Sequence, residues 1–352
     1  MSATPVTSGT MRAVVFDEGS TWAVHDDIPI PVPGVGEALL RPLRTGMCGT
    51  DEHLLHGGFI AVFPLIPGHE IVAEVVAYGP DTDGPAIGSQ VVVDPATFCG
   101  ACSACRRGEP GHCENFGSLG CDRPGGYADY LVAGVDKLFP TNGLDPDIAV
   151  LTEPLACAMH GVDQLALKPA SDVLIFGAGP TGLLLAQLVR MAGAARVTVA
   201  APTASKLEIA LKHGADNVVR VDRADPGIAE AELRAIAPDG FDAIIEATGS
   251  IPVFETALRL ARTGGQVLVY GLADPEAAAA VRPYDIFSRE LTIKGSFAQS
   301  NCVGRALFAL QSGRISTEGI VTATISLDDF GTAFTNLHDS EQIKTVVLPR
   351  SA

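Results

Sequence analysis

Residues 45–53 read T-G-M-C-G-T-D-E-H, and 68–70 read G-H-E. Cys48, His69 and Glu70 therefore offer a thiolate, an imidazole and a carboxylate. A catalytic zinc takes this ligand mix when one position must stay open for water or substrate. Thr50 and His53 follow close behind the cysteine, where a hydroxyl and an imidazole can carry a proton away from whatever the metal binds. The plainer alternative is a buried cysteine beside two surface histidines. The rest of the chain decides between the two.

Residues 98–113 read F-C-G-A-C-S-A-C-R-R-G-E-P-G-H-C. Two residues separate each of the first three cysteines, 99, 102 and 105, and seven precede Cys113. Four thiolates from one short loop close tetrahedrally on zinc and staple a segment with few apolar residues of its own. Cys121 reads as a packing thiol. Glu153, in L-T-E-P-L-A-C-A-M-H, sits at an expected helix start, where the macrodipole favours an acid in any case. It is also a candidate third ligand beside Cys48 and His69. Cys157, one helical turn on, competes for that role, and spacing leaves the choice open.

Asp172–Phe176 is a buried-type strand that runs into G-A-G-P-T-G and an apolar helix. Gly177 makes the tight turn, Gly179 lets backbone approach a pyrophosphate, and Gly182 lets helix pack on strand. Pro180 and Thr181 complete this cofactor-binding turn, whose phosphates rest on the helix N-terminus. The next strand, 196–200, leads to Ala201 where an acid for the adenosine ribose is expected. Thr203, Ser205 and Lys206 follow with two hydroxyls and a cation. The missing acid favours NADP, with NAD possible; the plainer reading makes Lys206 a solvated helix start. Thr248, Gly271 and Ser296 fall at the carboxyl ends of later strands, where ligands bind in such sheets.

The elements that must hold these groups fall into two kinds. Before residue 150 the chain reads as short strands with Gly and Pro punctuation: 11–16, 37–43, 71–78, 89–93 and one ending near Val132. Asp27–Gly36, with prolines at 29, 31 and 33, reads as an extended connection. From Asp172 strands and helices alternate, with further strands at 241–246, 265–270 and 291–296, which implies a parallel doubly wound sheet. Asp328–Phe330 opens a helix, and 344–349 is a closing strand that returns to the first domain. The first ten residues read as a loose tail.

With 352 residues two domains are expected. The charge is 24 − 41 = −17, so phosphate backbones are repelled and nucleic acid is excluded as a partner. An anionic cofactor then needs local cations and helix ends. No basic start precedes an apolar run, and the apolar stretch 173–189 is broken by glycines, Pro180 and Gln187, so neither a signal peptide nor a membrane span is read. Eight cysteines, four of them in one cluster, suit metal binding in a reducing cytoplasm.

The blocks G-M-C-G-T-D-E-H, P-G-H-E, the four-cysteine lobe, E-P-L-A-C-A-M-H and the glycine turn together resemble the zinc-dependent medium-chain dehydrogenases, from Met11 onward. E-P-L and the glycine after Cys48 look most like the polyol branch, which includes sorbitol and D-arabinitol dehydrogenases. The resemblance implies a GroES-like irregular β-barrel catalytic domain over residues 1–157, with a structural zinc lobe near 95–115. It implies a Rossmann domain over 158–293 and a return to the catalytic domain over 294–352. Cys48, His69 and Glu153 match the catalytic zinc shell, and Glu70 matches an acid that binds the metal directly in some members. Thr50 and His53 match a proton relay, and Cys99, Cys102, Cys105 and Cys113 match the structural zinc. A homodimer or homotetramer is implied. The expected activity is reversible oxidation of a polyol secondary hydroxyl to a ketose, with NADP favoured. An aldose 1-dehydrogenase, a threonine 3-dehydrogenase or a secondary-alcohol enzyme would use the same machinery, and F-I-A-V-F-P-L (59–65) could hold an apolar alcohol. A non-catalytic nicotinamide-binding protein would be free to lose Cys48, Thr50, His69 or Glu153, and all remain.

Overall fold

Alternating apolar residues in M-R-A-V-V-F place Ala13, Val14 and Phe16 in the interior and form strand β1 (Thr10–Asp17). It pairs antiparallel with β2 (Thr21–Pro29). The computed structural model describes residues 9–222, 226–337, 339 and 341–349. Of the expected tail, residues 1–8 lie outside the described residues, while Thr10 already opens β1. The connection expected from Asp27 starts later, because Asp27–Pro29 complete β2. Pro29 is tolerated there because a strand end needs no donor from it.

Two compact units divide the chain: Met1–Glu153 with Val303–Ala352, and Pro154–Cys302. Unit 1 continues with β3 (Glu37–Gly46), α1 (Gly49–Leu55), β4 (Glu70–Tyr78) and β5 (Gln90–Val93). The short pair β6 (Ala96–Thr97) and β7 (Gly117–Ser118) encloses the cysteine loop with its helix α2 (Ser103–Arg106). Then come β8 (Leu131–Gly134), β9 (Leu138–Pro140), α3 (Pro146–Ala149) and α4 (Thr152–Leu165), the last crossing into unit 2.

Unit 2 alternates regularly: β10 (Asp172–Phe176), α5 (Pro180–Met191), β11 (Arg196–Ala201), α6 (Ala204–Lys212), β12 (Asn217–Arg220) and α7 (Pro226–Ile236). It continues with β13 (Phe241–Glu246), α8 (Ile251–Leu260), β14 (Ala261–Val269), α9 (Pro283–Arg289) and β15 (Thr292–Gly295). The six strands are parallel in the order β12-β11-β10-β13-β14-β15, the doubly wound arrangement. Its central strands are apolar on both faces, since helices cover both.

The chain returns to unit 1 through α10 (Val303–Gln311), β16 (Val321–Ser326), α11 (Phe330–Thr335) and β17 (Lys344–Leu348). Here β16-β17-β3-β4-β5-β9 form one sheet, with β8 also on β3. β17 lies antiparallel to β3, with Val346 opposite Gly46 and Val347 opposite Thr45. This pairing sets the last strand beside the turn that carries Cys48. Phe16, Tyr127 and Phe330 form the aromatic centre of the core beneath that turn.

Candidate active site

Cys48 caps the N-terminus of α1 in extended conformation. Its backbone N–H donates to Asp51 Oδ2 at 3.0 Å. Tyr127 OH lies 2.7 Å from the same oxygen and 2.9 Å from Gly46 O. Both Asp51 and Tyr127 are fully buried, and burial followed by the nearby Asp51 charge holds the Tyr127 phenol well above its ordinary value. Asp51 Oδ1 faces His69 Nδ1 at 3.6 Å. One carboxylate therefore fixes the cysteine loop and confronts the imidazole, the arrangement by which outer groups orient metal ligands. Burial would depress the basicity of His69, but Cys121, Asp51 and Cys48 around it outweigh burial and raise it well above the ordinary histidine value.

Glu70 opens β4, opposite Gly46 on β3. A Cβ on Gly46 would lie 1.9 Å from Glu70 Oε2, so only glycine leaves room for this carboxylate. Its Oε1 accepts from Lys344 Nζ at 2.6 Å, and the same ammonium donates to Met47 O at 2.9 Å. Lys344 is 3 % exposed and Glu70 is 1 % exposed. Burial would lower the lysine's pKa, but Glu70 first and then Cys48 outweigh it, with a smaller contribution from Glu153, so Lys344 stays charged. Neither Lys344, Asp51 nor Tyr127 was picked out from sequence. Tyr127 meets Asp51 across 76 positions and Lys344 meets Glu70 across 274, distances that no short motif could reveal.

The ligand atoms of Cys48, His69 and Glu70 lie within 4.8 Å of one another. Glu70 Oε2 and His69 Nδ1 are buried without a hydrogen-bond partner, a costly state for such groups. A thiol, an imidazole and an orphaned carboxylate oxygen in this grouping fit zinc. Glu153 lies in the first turn of α4. Thr50 Oγ1 lies 3.5 Å from Cys48 Sγ, and His53 is three residues on along α1, on the same helix face. Cys121 packs in the core around Tyr127, as expected of a packing thiol, but it also touches His69.

The four sulfurs of Cys99, Cys102, Cys105 and Cys113 also lie within 4.8 Å of one another. Backbone N–H groups of Ala101 and Cys102 reach Cys99 Sγ at 3.5 and 3.3 Å and pull this thiol down to about 6. Burial and its sulfur neighbours push Cys105 up to about 12. Cys113 Sγ accepts from Cys99 N and Asn115 N, both at 3.3 Å. Crowded sulfurs fed by backbone donors suit a closed tetrathiolate site.

In unit 2, Gly177 has φ 114° and Gly179 is the N-cap of α5, with Pro180 and Thr181 in its first turn. A Cβ on Gly182 would lie 2.1 Å from Gly177 O, whereas nothing lies within 4 Å of one on Gly179. Gly182 thus serves helix–strand packing, and Gly179 leaves open space against which a pyrophosphate fits. Glu246, buried at the end of β13, accepts from Thr248 N at 2.7 Å, from Gly249 N at 3.2 Å and from the Thr248 hydroxyl. This carboxylate, also missed in the sequence, holds the A-T-G turn. Gly271 passes so close that its Cβ would meet Gly249 N at 2.1 Å. Ser296 donates its N–H to Val269 O at 3.0 Å, and its hydroxyl is buried without a partner. Ala201 ends β11, Thr203 caps α6, and Ser205 and Lys206 lie in its first turn.

Residues 34–143 match the alcohol dehydrogenase GroES-like domain family, and residues 180–311 match the zinc-binding dehydrogenase family. The chain is 38 % identical to D-arabinitol dehydrogenase 1 of Uromyces fabae over 99 % of each protein. It is 34 % identical to D-altritol 5-dehydrogenase of Agrobacterium fabrum, over 90 % of this chain and 91 % of that one. A zinc-binding dehydrogenase of Sinorhizobium meliloti 1021, solved with NADP bound, superposes with a TM-score of 0.90 at 33 % identity, covering 97 % of this chain and all of the other. An oxidoreductase with a GroES-like domain and a Rossmann-type parallel sheet, the chain belongs to the zinc-dependent medium-chain dehydrogenases, in their polyol-dehydrogenase-like branch.

Proposed function

We propose that this protein oxidises a secondary hydroxyl of a polyol to the ketose, reversibly, with NADP as the hydride acceptor. The observation that carries the reading is the buried group of Cys48, His69 and Glu70, with Glu70 Oε2 left unpartnered, in a chain that matches a D-arabinitol dehydrogenase from end to end. Cys48, His69 and Glu70 hold the catalytic zinc, with Glu153 flanking them. Cys99, Cys102, Cys105 and Cys113 hold the structural ion. Zinc, when bound, supplies a Lewis acid that lowers the pKa of a substrate hydroxyl. The nicotinamide supplies the hydride acceptor.

The chain's own residues do the rest. Thr50 Oγ1 accepts the hydroxyl proton as its own hydroxyl proton leaves toward His53, one turn along α1, whose imidazole takes it up and releases it to solvent. Asp51 keeps the cysteine loop closed and sets its negative charge beside the imidazole. Lys344 offsets the charge of Glu70, so the thiolate and carboxylate do not repel an anionic oxygen as strongly as they would alone. The glycine turn at 177–182 seats the pyrophosphate, the 248–249 and 271 turns line the sheet edge, and Ala201 leaves space for a 2′-phosphate.

A polyol is favoured over an apolar alcohol because the run 59–65 is largely used in packing. Phe59, Ile60, Ala61 and Phe63 lie against the core around Tyr127, and Leu65 is buried within it. A homo-oligomer is supported by β15, which forms an edge of the six-stranded sheet, with Tyr284 and Phe287 exposed on the preceding helix. Among the described residues none of the eight cysteines is joined in a disulfide, which supports a cytoplasmic site. Among the described residues no helix is long and apolar enough to cross a membrane.

The test is nicotinamide reduction by zinc-loaded protein. Substrates are D-arabinitol, D-altritol, sorbitol, xylitol, mannitol, glucose, threonine and 2-butanol, each with NADP⁺ and NAD⁺. Polyol turnover with NADP⁺ is expected. Turnover confined to glucose, threonine or 2-butanol refutes the polyol assignment, and turnover confined to NAD⁺ refutes the cofactor assignment.

A further inference from the structure

The carboxyl edge of the parallel sheet carries a cation that no motif marks. β11 ends at Ala201, and in register beside it β12 ends at Arg220. The next residue seals this corner, with Val221 N–H donating to Ala201 O at 3.0 Å. Arg220 is exposed, and its Nε–H donates to Pro202 O at 3.3 Å. The guanidinium is therefore drawn back over the first residue of the loop that joins β11 to α6. That loop follows the strand end which, in dinucleotide-binding sheets, faces the adenosine ribose. Where such sheets place a carboxylate against the 2′-hydroxyl, this chain has the buried methyl of Ala201. Lys206 lies in the first turn of α6, which follows the same loop. Ser205 Oγ, beside it, is buried without a partner.

We propose that Arg220 is a ligand of the cofactor's 2′-phosphate and the chief determinant of NADP over NAD in this protein. The inference rests on the NADP reading above and deepens it. A guanidinium is always charged and presents its donors in a planar fork that matches a phosphate. Its hydrogen bond to Pro202 O fixes Nε and sets the orientation of that fork. In a chain of net charge −17 the general field repels an extra phosphate dianion. Discrimination must then come from cations within hydrogen-bonding reach, and screening confines their effect to that corner. Lys206 adds a point charge without a fixed fork, so its share is smaller.

The test uses the full-length enzyme and two small probes, 2′,5′-ADP and 5′-AMP, with affinities measured by calorimetry alongside kcat/KM for NADP⁺ and NAD⁺. In R220A, 2′,5′-ADP binding and kcat/KM for NADP⁺ should both fall by about ten- to a hundredfold, the range for a lost charged hydrogen bond. Affinity for 5′-AMP and kcat/KM for NAD⁺ should stay within about twofold of wild type, the span of an exposed substitution. R220K should be intermediate, and K206A should lose less than R220A. If R220A binds 2′,5′-ADP as wild type does, while wild type still prefers it to 5′-AMP, the role of Arg220 is overturned and the NADP reading stands. If wild type does not prefer 2′,5′-ADP to 5′-AMP, the NADP reading itself fails, and this proposal with it.

Discussion

Replacing Lys344 with methionine keeps the apolar stem and removes the charge that faces Glu70. The ion pair spans 2.6 Å between side chains 3 % and 1 % exposed. Losing one partner of such a pair costs about 3–5 kcal/mol, because the surviving charge is left buried and uncompensated. The Met47 carbonyl beside Cys48 also loses its donor. For a unit of this size each kcal/mol shifts the melting temperature by about 2–4 °C, so zinc-stripped K344M should melt about 6–20 °C below wild type. Zinc changes the sum. If Glu70 faces the metal, a divalent cation compensates the carboxylate that Lys344 has abandoned. The loss in zinc-loaded protein should then be about half that of the stripped form or less. The assay is urea and thermal unfolding of wild type, K344M, K344R and the double variant E70Q/K344M, each with and without zinc. K344R should stay close to wild type, and the double variant should recover much of the loss, with a coupling of about 1–3 kcal/mol or more. Equal losses with and without zinc would refute the placement of Glu70 in the metal shell. A loss below about 1 kcal/mol would refute the buried ion pair itself.

Three further outcomes follow from the same geometry. G271A should weaken binding of the reduced dinucleotide by more than about tenfold, followed by nicotinamide fluorescence, with zinc content unchanged, because its Cβ would meet backbone at 2.1 Å. C113S should lower metal content by about one ion per chain and open the lobe to proteolysis, while the Cys48 site keeps its zinc. Asp242 accepts from Asp172 N at 2.7 Å and from Arg262 Nε at 2.6 Å. Burial acts to raise its pKa, but these donors outweigh it and hold the carboxyl below its ordinary value. A depressed folded-state pKa adds stability above the unfolded value and loses it as pH falls through the folded one. D242N should therefore be less stable than wild type near neutrality, and the gap should close between about pH 5 and pH 3 in chemical denaturation.

What could be read from the sequence was contiguous. The glycine turn shows three glycines with a strand before and a helix after, and the lobe shows four cysteines in fifteen residues. The same holds for Cys48, Thr50 and His53, which share one short helix and its cap. β2 escaped notice because its burial alternates weakly and its acidic, proline-ended tail resembles a loop. The residues that tune the site were illegible for another reason. Lys344 lies 274 positions from Glu70, Tyr127 lies 76 from Asp51, and Arg220 meets Pro202 across 18. Each partnership exists only because the tertiary fold sets two separate segments side by side. The surroundings of Glu70 were illegible for the same cause. Spacing cannot show that Glu70 Oε2 occupies the room left by a glycine on the facing strand.

The Cys48–His69–Glu70 cluster and the dinucleotide turn are proposed to serve one reaction, oxidation of a polyol carbinol. The most direct measurement takes the best polyol of the substrate panel, deuterated at its carbinol carbons. It follows both the rate of nicotinamide reduction and the label, in protein stripped of zinc and then reloaded. Deuterium should appear in the reduced nicotinamide, turnover should be lost on stripping, and zinc alone should restore it. Undiminished turnover without zinc, or reduction that leaves the label on the polyol, would contradict the proposal.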